Sequence, residues 1–166
     1  MDEEQVIKWL EADKAVKLTT LDATFCLAIQ LQASGKVIGY VSLMFIDSLR
    51  QQATFNILVS RGFQGQGFGL EAVNALLHFC FDAISLHRVI TSFDSRNVPA
   101  RRLLEKARMR REGEFLKDRF PNGEWADTVW MAMLSDEYAK SFAKAGGIGI
   151  ADHVYRALLA QQEART

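Results

Sequence analysis

The sequence has few cysteines, no excess of charge of either sign and no long hydrophobic run. Its only two cysteines, Cys26 and Cys80, are far apart and match no metal-binding or redox spacing, so we expect buried thiols and no metal site. Twenty basic residues balance twenty acidic ones, which argues against a nucleic-acid partner. No apolar run reaches membrane-spanning length, and no basic N-terminal segment precedes an apolar one. We therefore expect no membrane partner and a cytoplasmic location.

The first part of the chain predicts one helix followed by strands. Residues 3–15 carry acidic residues first and then an apolar stripe, which predicts an amphipathic helix. Alternating apolar residues predict strands over residues 23–31, 36–46 and 53–59. These three strands are expected to form an antiparallel meander.

The remainder of the chain mixes helices with strands. The apolar spacing from Leu70 to Phe81 is helical, and the sequence predicts further helices over residues 97–107, 135–144 and 152–162, the last after a glycine linker at 146–149. Strands are predicted over residues 87–93, 114–120 and 125–134, the last two joined by a Pro-Asn-Gly hairpin turn. We expect a domain of residues 1–134 and a C-terminal helical extension of residues 135–166.

A glycine-rich loop, Gln64-Gly65-Gln66-Gly67-Phe68-Gly69, separates the third strand from the helix after it. Glycine lets a main chain approach a ligand closely, and the free N–H groups of a helix N-terminus point at an anion, so the loop predicts a phosphate site. No Lys-Ser or Lys-Thr follows it, which excludes a P-loop. A dinucleotide loop needs a small residue where Leu70 stands and a repeated parallel fold, so that alternative also fails.

Several stretches resemble the GCN5-related N-acetyltransferase (GNAT) superfamily. Residues 64–69 fit its Q/R-x-x-G-x-G/A pattern, and residues 65–72 are similar to the G-K-G-Y-A-T-E-A of its ribosomal-protein (RimJ/RimL-like) branch. Residues 97–106 resemble that branch's N-x-x-S-x-x-L-L-E-K, residues 111–113 its R-E-G, and residues 122–127 its G-x-x-x-D. The resemblance runs from about Glu3 to Leu134.

This resemblance implies an α+β fold whose mixed sheet is splayed between its fourth and fifth strands. It also implies acetyl-coenzyme A as co-substrate, with its pyrophosphate on the main-chain amides of the loop and its pantetheine arm along residues 57–60. The usual first strand and helix, ahead of Glu3, are expected to be missing. The implied cofactor-binding residues are Leu58, Val59, Gln64, Gly65, Gln66, Gly67, Phe68, Gly69, Asn97 and Arg101.

Two residues are candidates for catalysis. Asn97 would hydrogen-bond the pantetheine or a water near the thioester, and a helix N-cap is an alternative and compatible role. Asp94 is the first candidate for taking the proton of the amine, with a turn residue as the alternative; Ser92, Tyr40 and Asp118 are the other candidates. Arg101 is placed to meet the 3′-phosphate of coenzyme A, and a solvated helix face is the alternative for it.

The match departs from the family pattern at a few positions. Thr54 and Asn56 stand where many relatives carry a glutamate, Ala100 replaces a serine, and Arg108 replaces a glycine after the second helix. These departures leave two functions open. The first is an N-acetyltransferase that acts on the primary amine of a protein N-terminus or a small molecule by direct attack in a ternary complex, and aminoglycosides and polyamines are among the acceptors left open. The alternative is an acyl-coenzyme A-binding module with little or no catalysis.

The remaining expectations concern partners. We expect acetyl-coenzyme A and an amine acceptor, and a homodimer is a further expectation. The C-terminal helix at residues 152–162 would cover the sheet where the first strand and helix are missing, or pack against a second subunit. A third hypothesis for the function is that the chain is a scaffold protein that has lost cofactor binding.

Overall fold

The computed structural model describes residues 7–11, 25–47 and 49–144. Within these residues the chain forms a seven-stranded mixed sheet in the order β1-β2-β3-β4-β5-β7-β6, with three α-helices. The strands are β1 (Ile7–Glu11), β2 (Phe25–Leu31), β3 (Val37–Asp47), β4 (Gln52–Val59), β5 (Arg88–Asp94), β6 (Arg110–Arg119) and β7 (Ala126–Leu134). The helices are α1 (Phe68–His78), α2 (Val98–Lys106) and α3 (Ser135–Lys144).

The N-terminal prediction is wrong in the part that the structure describes. Residues 7–11, predicted as helix, form the edge strand β1 and pair antiparallel with β2 from Ile7↔Leu31 to Glu11↔Leu27. A strand therefore lies beside β2 at the edge of the sheet, where the sequence predicted a helix. The short apolar run fits a helix or a strand equally well, and pairing with β2 decides between them. The other residues of the predicted helix lie outside the described residues. The expected absence of a first helix is therefore not tested.

The predicted meander and hairpin are confirmed. Strands β2, β3 and β4 pair antiparallel in chain order, and β6 pairs antiparallel with β7 across the turn Pro121–Gly123. Some boundaries differ from the predicted ones. Helix α1 begins at Phe68 and continues into a π-helical turn at Phe79–Ala83. Strand β6 begins at Arg110 because β7 offers it partners as far as Ala132.

Alternation along the strands gives the sheet two different faces. The first, here called the helix face, packs against α1 and α2 and supplies buried core side chains: Val41, Leu43, Phe55, Val89, Val129 and Met131. The opposite side, here called the far face, carries Tyr40, Asn56, Leu58, Ser92 and Trp130. Tyr40 and Leu58 are 43% and 50% exposed there, so this part of the far face is accessible.

The predicted helix over residues 135–144 is confirmed as α3, which follows β7 directly. Its Tyr138 packs against the end of α1: the Tyr138 ring lies 5.0 Å from the Phe81 ring, and its hydroxyl is 2.9 Å from Nδ1 of His78. The predicted linker at 146–149 and helix at 152–162 lie outside the described residues.

The two cysteines have different environments. Cys80 is buried, as predicted, and burial raises the pKa of its thiol. Cys26 is exposed, so the prediction of a buried thiol is wrong for it. It pairs with Ser42 on the far face of the sheet, away from the core. Among the helices that the structure describes, none is long and apolar enough to cross a membrane.

Candidate functional site

The sheet opens between β4 and β5, which confirms the predicted splay. The parallel pairing of the two strands ends at Thr54↔Ile90, and the rest of β4, as far as Val59, has no partner in β5. At the end of the pairing the buried Thr91 hydroxyl donates to the Phe55 carbonyl at 2.8 Å. This side-chain hydrogen bond links the two strands at the point where the opening begins.

We expect Thr91→Val to destabilise the protein by about 1–3 kcal/mol, because the Phe55 carbonyl would stay buried without its donor. Thr91→Ser is the matched control: it keeps the hydroxyl and loses one methyl group, at a cost of about 1 kcal/mol. Denaturant unfolding of both variants gives the comparison. A larger loss for serine than for valine would contradict a bridging role for the hydroxyl.

Main-chain groups line the β4 wall of the opening. The Ser60 N–H donates to β3 at 2.7 Å, whereas the Phe55 carbonyl points toward β5. Because main-chain direction alternates along a strand, Ile57 and Val59 face the opening and Leu58 faces β3. Of the predicted pair of cofactor residues, Val59 thus turns its main chain to the opening, and Leu58 has its side chain on the far face.

The loop after β4 is held in shape by two of the predicted residues. Gln64 Nε2 donates to the Val59 carbonyl at 2.7 Å, and Gln66 Nε2 donates to the Gly62 carbonyl at 3.0 Å. Both amide side chains therefore bind the loop to itself and to the end of β4. The Gln64 N–H also donates to the Arg61 carbonyl, at 3.4 Å, so of these two residues Gln66 has the main-chain N–H that it can offer to a ligand.

Gly65 and Gly67 make the surface of this loop bare. Their φ angles are 75° and 94°, in the left-handed region that favours glycine, and a Cβ built on either meets nothing within 4 Å. Backbone conformation therefore favours glycine at both positions. The absence of side chains also leaves the main chain open to close approach.

Helix α1 begins on this loop without a side-chain cap. Gly67 is its N-cap residue, and Glu71 donates the first N–H of the helical pattern to the Gly67 carbonyl at 3.1 Å. The N–H groups of Phe68 and Gly69 have no partner inside the helix and lie at the positive end of its dipole. Phe68 is buried in the core, so it offers only its main chain. This arrangement is suited to an anion such as a diphosphate.

Asn97 caps helix α2 on the other side of the opening. Its Oδ1 accepts the Ala100 N–H at 3.1 Å, and its own N–H donates to the Asp94 carbonyl at 2.8 Å. The N-cap role foreseen for it is therefore confirmed. Its side chain is exposed, and Nδ2 makes no hydrogen bond within the described residues, so a ligand contact remains open to this group.

Asp94 is occupied by Arg96. Its Oδ1 accepts from the main-chain N–H and Nε of Arg96, both at 2.9 Å, and its Oδ2 accepts from Nη2 at 2.7 Å. These hydrogen bonds, the side-chain one first, lower the pKa of Asp94 to about 2. A carboxylate this acidic is a weak base at neutral pH. The geometry fits the alternative role of a turn residue better than that of the base.

Arg101 also makes a hydrogen bond to the turn between β5 and α2. Its Nη2 donates to the Ser95 carbonyl at 3.1 Å. Together with Glu105 it borders a cavity of about 390 Å³ between α2 and β6, over Val129 and Met131. The contact between Arg101 and the 3′-phosphate of coenzyme A stays a prediction.

The other proton-handling candidates are spread over the sheet. Ser92 lies on β5 beside the opening and accepts from Nη2 of Arg119 at 2.9 Å. Tyr40 lies one strand away, opposite Leu58, and Asp118 is exposed on β6. Arg119 is the polar residue at the opening that sequence reasoning missed. No sequence motif identifies Arg119, because an irregular stretch of β6 determines on which face of the sheet its side chain lies.

Two departures from the family pattern find a physical account. Arg108, in place of a glycine, adopts φ of 61° and donates its N–H to the Glu105 carbonyl at 2.9 Å, so the tight bend after α2 is made without glycine. This left-handed conformation costs a side-chain-bearing residue about 1 kcal/mol. Ala100 is half-buried against the core.

Within the described ranges, no three His, Cys, Asp or Glu residues come together to hold a metal ion.

Residues 1–110 match the family model described as the acetyltransferase (GNAT) domain, which is more than half of the chain. The chain belongs to the GNAT family. A second model, described as rod binding protein, matches residues 108–156, a smaller part that includes strands β6 and β7 of the GNAT sheet.

Named relatives of this GNAT chain are N-acetyltransferases. It is 39% identical over 77 residues to the uncharacterized N-acetyltransferase YnaD of Bacillus subtilis, covering 46% of this chain and 45% of that one. It is 29% identical over 106 residues to spermidine N(1)-acetyltransferase of Vibrio cholerae, covering 64% and 61%. The chain therefore spans about half to three fifths of the length of these relatives.

Solved structures show the same fold. A point mutant of spermidine N-acetyltransferase SpeG from Vibrio cholerae superposes with a TM-score of 0.67 at 28% identity, covering 70% of this chain and 68% of that one. A dodecameric structure of the Vibrio cholerae enzyme superposes with a TM-score of 0.66 at 28% identity, covering 70% and 67%. The α+β GNAT fold predicted from the sequence is thus confirmed.

Proposed function

We propose that this chain is an acetyl-coenzyme A-dependent N-acetyltransferase that acts on a primary amine. The observation that carries the proposal is the opening between β4 and β5, together with the loop after β4 that leads into the uncapped N-terminus of α1. The main-chain amides of Gln64 to Gly69 would hold the pyrophosphate. The pantetheine arm would then pass along Ile57 and Val59 and bring the thioester to the opening.

The reaction proposed is direct attack. The neutral amine nitrogen forms a bond to the thioester carbon and the C–S bond breaks. The nitrogen loses a proton as the amide forms, and a proton is taken up by the departing thiolate, which leaves as the coenzyme A thiol. Since thiols have a pKa of about 8.5, the thiolate is a good leaving group, while the ammonium, with a pKa near 10, must first lose a proton. With Asp94 bound to Arg96, we propose that this proton passes to water in the opening. A main-chain N–H of β4 would stabilise the oxyanion.

We further propose a branch of the family and a class of acceptor. The stretch from Gly65 to Ala72 supports the RimJ/RimL-like branch, and the relatives support a small-amine acceptor as well as a protein N-terminus. A cytoplasmic location, a homodimer and a C-terminal extension beginning at Ser135 remain proposals of the same kind.

One observation favours a second candidate, an acyl-coenzyme A-binding module. Asp94, the first sequence candidate for the base, is paired with Arg96, and Thr54 and Asn56 replace the carboxylate that many relatives carry on β4. Binding and catalysis must therefore be measured separately.

Thermal unfolding with acetyl-coenzyme A tests the binding step. A ligand present at a hundred times its Kd stabilises by about 2.7 kcal/mol, which raises the Tm of a chain of this size by about 5–10 °C. Release of the coenzyme A thiol with a panel of primary amines then tests catalysis, in a Cys26→Ser background because Cys26 is exposed. A Tm shift without thiol release would favour the binding module. No shift would overturn both.

A further inference from the structure

Arg119 stands at the opening on the far face. Its Nη2 donates to the Ser92 hydroxyl at 2.9 Å. Ser92 lies two residues beyond Ile90, where pairing with β4 ends, so this contact forms part of the β5 wall. Across the opening, β4 carries the exposed side chain of Asn56 on the same face.

A β-bulge directs Arg119 to this face. The register of β6 against β7 shifts between Phe115 and Arg119. Within the bulge, Lys117 has φ of 50° and donates its N–H to Asp127 Oδ1 at 2.7 Å. Arg119 then pairs with Ala126, which places its side chain on the far face with Ser92.

The guanidinium of Arg119 is not neutralised by a contact. Within the described part of the chain it makes no ion pair, although five other arginines each contact a carboxylate: Arg50, Arg88, Arg96, Arg110 and Arg111. On β7, beside Ser92 and Asp94, lie Thr128 Oγ1 and Trp130 Nε1, two buried uncharged groups with no hydrogen-bond partner among those residues. Strand β7 therefore supplies no counter-charge there.

The acids near the hairpin are engaged elsewhere. Asp94 holds Arg96 through both carboxylate oxygens, Glu124 lies 3.6 Å from the same guanidinium, and Asp127 accepts the Lys117 N–H. None of these three carboxylates hydrogen-bonds Arg119, although the charge of Arg119 acts on Asp94. Arg119 is thus a cation at this wall that a ligand can reach without displacing an ion pair. An ammonium group brought to this guanidinium would meet like charge.

We infer that the acceptor is a small primary amine that also carries a carboxylate, and that Arg119 binds this carboxylate while the amine reaches into the opening. A guanidinium matches a carboxylate in charge and in two-point geometry, which makes the pair strong and directional. The inference rests on the proposed acetyltransferase function and gives it an acceptor class. That class differs from the spermidine named for the Vibrio cholerae relative.

The test compares five-carbon amines that differ only at the far end: δ-aminovalerate ends in a carboxylate, cadaverine in an ammonium and pentylamine in a methyl group. Their binding to the protein saturated with coenzyme A is measured by calorimetry, and their acetylation by thiol release. We expect δ-aminovalerate to bind about 5-fold more tightly than pentylamine, the upper value for an ion pair with an exposed guanidinium, and more tightly still than cadaverine, whose ammonium Arg119 repels.

Three variants locate the effect. Arg119→Gln should remove the preference, and Arg119→Glu should reverse it in favour of cadaverine. Arg50→Gln is the control: this exposed arginine pairs with Asp47 at 3.6 Å in the β3–β4 turn, and its loss should change nothing. Equal or tighter binding of cadaverine to the unmodified protein, or no binding of any amine, would overturn the inference. Loss of acetyl-coenzyme A binding or of all turnover would instead count against the proposed function.

Discussion

Replacing Gly65 with aspartate is expected to weaken acetyl-coenzyme A binding by about 100-fold. The substitution puts a carboxylate on the loop that we propose for the pyrophosphate. Two like charges about 4 Å apart repel by about 1 kcal/mol in bulk water and by about 4 kcal/mol near a protein surface. The space around a Cβ at Gly65 is open, so the new side chain displaces no protein group.

Gly65→Asn is the matched control, because asparagine has the shape of aspartate without its charge and tolerates the left-handed conformation at φ of 75°. We expect it to lose less than about 10-fold in affinity, since it lacks the repulsion. Calorimetry with acetyl-coenzyme A measures both variants. If the two lose affinity equally, the loop does not act through charge and the assigned pyrophosphate position is wrong.

A second large effect is expected from Gly39→Ala. Gly39 lies opposite Val59 in the β3–β4 pair, and a Cβ built on it falls 2.2 Å from the Leu58 carbonyl oxygen and 3.0 Å from Val59 Cα. These are main-chain atoms, which cannot move aside without breaking the pairing of the strand that lines the opening. We expect a loss of about 3 kcal/mol or more in the free energy of unfolding, at the upper end of overpacking costs.

Gly113→Ala separates this steric effect from the general cost of changing a strand glycine. Gly113 lies on the edge strand β6, and a Cβ built there meets nothing within 4 Å. Its replacement should be neutral, or stabilise by up to about 1 kcal/mol by restricting the unfolded chain. Denaturant unfolding gives both values. A Gly39 variant as stable as the Gly113 variant would show that β3 and β4 can separate at this point without cost.

The loop that we propose for the cofactor has a shape that could be predicted because its signals are local. Backbone angles within the loop favour glycine at positions 65 and 67, and the same short segment links β4 to α1. Asn97 caps α2 through a bond to a residue three positions later. Such features need only neighbours in sequence, so a motif can carry them.

Two of the predictions failed for different reasons. Residues 7–11 fit a helix or a strand equally well, and only pairing with β2 makes them a strand. Cys26 alternates with the apolar side chains of Leu27 and Ile29 along β2, so the strand period alone places it on the opposite face. Its exposure could therefore have been predicted from the sequence.

By itself the sequence determined the family, the splayed α+β sheet and the glycine loop at the start of α1, because these follow from residue order and short-range backbone geometry. The tertiary structure alone decided what surrounds the side that we propose for the acceptor. A bulge in β6 brings Arg119 to Ser92, 27 residues earlier in the chain. Such a contact depends on the distance between strands far apart in the chain, and strand register sets that distance.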